Sequence, residues 1–179
     1  MLKNPKQPSE PQKPEVIIDL PPILEAFLRF ATETPKDQQK ITVSRKTDFG
    51  RSINGFLSKS TSIPPAQEPI ENPVYIIVPR TPHNWYSLET MYLYISKEDN
   101  EQIADRIEVF FNKWIDVFFQ DGYAMNLCQL DIIESVLDIL NVRMNTANFD
   151  QIKKRDYRKT KSDIRERSKL ILRQRLSAV

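Results

Sequence analysis

The chain has 179 residues, 40% of them hydrophobic and 28% charged, which suits a soluble protein with one sizeable core. A single cysteine excludes an intrachain disulfide or a cysteine-based metal cluster, and three glycines exclude the glycine-rich loops that cradle phosphates. The formal net charge of +2 averages two unlike parts: residues 150–179 hold eleven Lys or Arg against four Asp or Glu, leaving fifteen against twenty elsewhere.

The chain opens on a polar, Pro-rich arm, residues 1–15, without the apolar stretch of a secretory signal. Pro5, Pro8, Pro11 and Pro14 recur every third residue, the period of polyproline II, and are read as a partner-binding face. Pro22 suits a first helical turn, and Ile23, Leu24, Phe27, Leu28, Phe30 and Ala31 make the apolar face of a helix that ends by Thr34-Pro35. Ile41-Thr42-Val43 reads as a short strand, Thr47–Leu57 as a short helix, and Ser58–Asn72 as a Pro-rich surface loop. Val74–Val78 and Thr90–Ile95 read as strands, joined in a hairpin whose long aromatic tip presents His83, Trp85 and Tyr86 for contact with a partner.

Ser96 and Asp99 predict a capped start to a long helix, with Ile103, Ile107, Phe110, Phe111, Trp114, Val117 and Phe118 buried and Gly122 as a left-handed cap. A second helix over 127–140 buries Leu130, Ile133, Val136, Leu137 and Leu140 and stops at Asn141. Cys128, near its start, reads as a buried structural thiol. A third helix begins near Thr146 or Asn148 and enters the basic tail, whose Lys153, Lys154, Arg155, Arg158, Lys159, Lys161 and Arg165 are candidate contacts to an anion or a partner. The last two helices have the spacing of a helix-turn-helix. Their second member, however, keeps Phe149 and Ile152 for packing and gathers its charge late, which argues against a major-groove reader.

No catalytic or metal site is expected. His83 is the sole histidine and has no companion nucleophile, and the acidic residues recur at helical spacing as solvated faces. The expected fold is α+β: a small antiparallel sheet packed on about four helices, with an extended arm (1–15), one core (16–149) and a basic helical tail (150–179). No cofactor is expected, and no apolar run is long enough to span a membrane.

Four stretches, IIDLPPILEAFLRFATETP (17–35), ENPVYIIVPR (71–80), YLYISKEDNEQIADRIEVFF (92–111) and LDIIESVLDILNVRMNTANFDQIKKRDYRK (130–159), resemble small virion proteins of crAss-like tailed bacteriophages. The resemblance covers residues 16–160 in order and phrasing. It implies a non-enzymatic part of the portal, neck or tail, made in the host cytoplasm and present in the virion as a ring of identical copies that contacts portal or other ring and tail proteins. It assigns no functional residue. The competing expectation is a nucleic-acid-binding protein whose tail makes non-specific contacts to DNA phosphates.

Overall fold

The computed structural model describes residues 15–64 and 70–156. The fold is α+β, with six helices, a mixed three-stranded sheet and a two-stranded sheet. The described residues group into two compact units, one drawn from 15–21 and 32–104, the other from Pro22–Ala31 and 105–156.

In the first unit, β1 (Glu15–Asp19), β2 (Lys40–Thr42) and β4 (Pro73–Ile77) form the larger sheet in the order β1-β4-β2. β1 runs antiparallel to β4 and β2 parallel to it, so the sheet is mixed where an antiparallel one was expected. Alternation sets its faces: Val16, Ile18, Val74, Ile76 and Ile41 are buried, and Val16, Ile76 and Ile41 line up across the three strands. The opposite face carries Ile17 beside Tyr75 and an ion pair between Lys40 and Glu15, which reach each other from the two outer strands. A polar clamp closes one end. The Asn100 side chain accepts the Asp19 N–H at 2.8 Å and donates to the Asp19 carbonyl at 3.2 Å, while Asp19 Oδ1 accepts the Asn72 N–H at 3.0 Å.

Two expectations for this unit are corrected. Ser58–Ser60, read as loop, is strand β3, and it pairs antiparallel with β5 (Tyr92–Tyr94) in the second sheet. The hairpin between Val74–Val78 and Thr90–Ile95 does not exist. Both edges of β4 are taken by β1 and β2, so β5 finds β3, and the connection folds as α3 (Trp85–Thr90). The short helix after β2 is α2 (Asp48–Gly55), capped by Thr47, whose Oγ1 accepts the Gly50 N–H at 3.1 Å. Gly50 permits a close approach there: a Cβ would lie 1.9 Å from the Ser44 carbonyl oxygen.

In the second unit, α1 (Pro22–Ala31) buries Ile23, Leu24, Phe27 and Leu28. α4 (Lys97–Ala124) starts in the first unit with the expected cap, Asp99 N–H donating to Ser96 Oγ at 3.1 Å, and continues into the second. Phe27 meets Phe111 at 5.1 Å and Trp114 at 5.6 Å between ring centres, and Phe30 meets Trp114 at 5.3 Å. The buried positions of α4 include Ile103, Ile107, Phe111, Ile115 and Phe119, whereas Val117 is exposed. A strict four-residue step turns the buried line about 40° at each repeat, so it winds round the helix and leaves Val117 outside.

Gly122 does not cap α4, since its φ is not positive; Asn126 takes the left-handed conformation at φ 60°. The Leu127 N–H then reaches the Gly122 carbonyl at 3.0 Å and the Asn126 N–H that of Tyr123 at 3.0 Å. The glycine has another task. A Cβ on Gly122 would lie 2.6 Å from Ile132 Cγ1 on α5 (Gln129–Ile139), so its absence lets α5 approach α4. For the same reason Ile132 is buried, and Leu130, expected inside, is exposed. Asn141, at φ 53°, ends α5 as expected. A sixth helix, α6, covers 146–156, with Ile152 fully buried.

Gly122→Ala is expected to lower stability by about 1–3 kcal/mol, because Ile132 is β-branched and enclosed and cannot swing away. Urea unfolding measures this. In the same assay Gly50→Ala should destabilise against the Ser44 carbonyl. Gly55→Ala, with nothing within 4 Å of the new Cβ, should be neutral or stabilising by about 0.5–1 kcal/mol.

Candidate interaction surfaces

The candidate contact residues fall in three places. Pro5, Pro8, Pro11 and Pro14 lie outside the described residues, as do Arg158, Lys159, Lys161 and Arg165. His83, Trp85 and Tyr86 are exposed as expected, but from a turn and helix rather than a hairpin tip. The side chain of Asn84 builds that turn: its Oδ1 accepts the Thr81 N–H at 2.6 Å and its Nδ2 donates to the Pro79 carbonyl at 3.0 Å. Arg80 and Glu89 pair at 2.6 Å across the same segment. Tyr92, not among the expected contacts, is also exposed. Alternation within its strand marks it as outward-facing, and that was the available signal.

The basic residues on α6 divide by role. Lys153 and Lys154 are exposed. Arg155 is engaged within the fold: its Nε donates to Asn112 Oδ1 at 2.7 Å, its guanidinium reaches Glu108 Oε1 at 3.0 Å, and its Cζ lies 4.9 Å from the Phe111 ring centre. That arrangement makes it an anchor of α6 on α4 rather than a free contact. Its neighbour Asp156 is buried and accepts hydrogen bonds from Tyr123 Oη at 2.8 Å and from Gln129 Nε2, tying α6 to the end of α4 and the start of α5. Linear charge counting cannot separate an anchoring arginine from a displayed lysine two positions away, because the difference lies in Asn112 and Glu108, more than forty residues earlier.

Tyr123 feels this network. Partial burial, then its hydrogen bond to Asp156 and the charge of that carboxylate, push its hydroxyl from 10.0 up to about 12. Cys128, expected to be buried, is exposed at the N-cap of α5, a position outside the helix proper, with its backbone N–H bonded to Asp131 Oδ2 at 3.2 Å. Its neighbours Met125, Leu127 and Leu130 are exposed as well, forming an apolar shoulder at the α4–α5 turn. The outer face of α5 carries Asp131, Glu134 and Asp138, and no Lys, Arg or His lies on that helix. Among the described residues no group of three His, Cys, Asp or Glu side chains is placed to hold a metal ion, and no helix is long and apolar enough to cross a membrane.

Arg155→Ala is expected to cost about 1–3 kcal/mol in chemical unfolding, while Lys153→Ala and Lys154→Ala stay within about 0.5 kcal/mol. Asp156→Asn should bring the Tyr123 hydroxyl back toward 10.0, read as tyrosinate absorbance in a difference titration against Tyr123→Phe. Because the folded value is raised, Tyr123's contribution to stability is complete below pH 10.0 and is lost as the pH climbs toward about 12. No family model, curated protein or solved structure matches the chain, so its function is argued from these surfaces.

Proposed function

We propose that this protein is a non-enzymatic structural subunit of a phage virion, a head-to-tail connector or tail ring that assembles through its core and its terminal segments. The observation that carries the reading is the segregation of charge. Residues 150–179 carry eleven cations against four anions, and the rest of the chain carries fifteen against twenty. A closed ring of identical copies needs two unlike surfaces on each subunit, and opposite charges on body and tail supply such a pair. The acidic outer face of α5 and the exposed apolar shoulder beside it support this. The resemblance of four stretches to crAss-like phage virion proteins narrows the assembly to a virion, with portal or neighbouring ring and tail proteins as further partners.

A second reading, a nucleic-acid-binding protein, is favoured by the exposure of Lys153 and Lys154 at the head of a cationic sequence. Phosphate binding needs such cations without any reading of bases.

The test is the mass in solution of the full chain and of chains lacking residues 1–14 or 157–179. Cutting at 157 spares the buried Ile152 and Asp156. The expected result is an oligomer that is independent of DNA and loses copies on either truncation. A monomer in every form, with retention on DNA that falls steeply as salt rises, would instead establish the second reading.

A further inference from the structure

Three large aromatic side chains stand exposed within one helix-to-strand segment: Trp85 (45%), Tyr86 (59%) and Tyr92 (49%). The segment that carries them is held firmly. Asn84 locks the turn before α3, Arg80 and Glu89 pair across it, and β5 is paired with β3. Trp85 and Tyr86 meet edge to face, with ring centres 5.9 Å apart and planes at 84°, a geometry that fixes two rings without stacking their faces on each other. Among the described residues the Trp85 indole N–H and the Tyr86 and Tyr92 hydroxyls make no hydrogen bond.

Fixed aromatic faces next to unengaged N–H and O–H donors are the chemistry that recognises polyproline II. Proline rings pack on the aromatic faces, and the carbonyls of that conformation, unpaired within it, accept the donors. The chain carries a sequence of this kind in Pro5, Pro8, Pro11 and Pro14, spaced by one polyproline turn. As a polyproline II rod, Pro5 to Pro14 would span about 28 Å.

We propose that Trp85, Tyr86 and Tyr92 form a polyproline docking site whose occupant is the Pro5–Pro14 arm of a second copy of this chain. The inference rests on the reading of the protein as a self-assembling subunit. It names the contact through which one copy holds the next.

The full chain with Tyr86→p-benzoylphenylalanine, which keeps an aromatic ring at the site, is co-expressed with a longer, tagged copy of the native chain and irradiated. The expected product joins the two copies, with the cross-linked peptide falling within residues 5–14 of the tagged one. Replacing Pro5, Pro8, Pro11 and Pro14 by Ala in the tagged copy should then cut the yield about tenfold. Cross-links confined to a single chain would overturn the exchange between copies, and cross-links that miss the arm would overturn the docking site. The mass of Trp85→Ala separates this proposal from the broader reading. An oligomer that survives the substitution, together with absent arm cross-links, rejects the docking site alone, whereas a native chain that is monomeric rejects both.

Discussion

The arrangement of the first unit follows from one constraint: β4 has two hydrogen-bonding edges, and both are filled. β1 takes one in antiparallel register and β2 takes the other in parallel. With no edge left on its nearest neighbour in sequence, β5 pairs with β3 from a segment of Ser and Lys that carries little strand propensity of its own. The connection from β4 to β5, relieved of closing a hairpin, coils into α3 and turns Trp85 and Tyr86 outward. The exposed aromatic surface is therefore a consequence of sheet topology as much as of local sequence.

The same constraint explains what could be read from the sequence. Val74–Val78 and Thr90–Ile95 announce strands through β-branched and alternating residues, which is a local property. Which strand pairs with which is a property of the whole chain, and the β1–β4 partnership joins residues more than fifty positions apart. β1 itself went unrecognised because Val16-Ile17-Ile18 is too short to show a period before Pro21 and Pro22 intervene. Helix ends were legible at Ser96 and Asp99, where side chains do the capping, and at Asn141, a residue type that tolerates the left-handed backbone. They were not at Gly122, where a glycine near a helix end is in fact a point of contact between two helices. Buried faces were legible to within about one helical position: Ile132 replaces Leu130 because the close approach at Gly122 sets the rotation of α5.

The candidate contacts show the same division. His83, Trp85 and Tyr86 were expected outside as the tip of a hairpin; they are exposed, but on the turn and helix that replace it. In the basic region the sign of the charge was plain but its employment was not. Lys153 and Lys154 face solvent, and Arg155 lies across Phe111 and joins Asn112 and Glu108. Arginine's planar fork suits that lateral clamp, since it stacks and donates in several directions at once, whereas lysine offers a single point charge.

The Arg155–Asp156 pair also decides how the protein would bear a load. The two side chains grip different elements, Arg155 the middle of α4 and Asp156 the end of α4 and the start of α5, and they stand immediately before residue 157. Tension on the C-terminal segment would thus meet charge-assisted hydrogen bonds on two fronts before it reached the apolar seat of Ile152. Peeling α6 away from its C-terminal end would therefore have to break both grips before it reached Ile152.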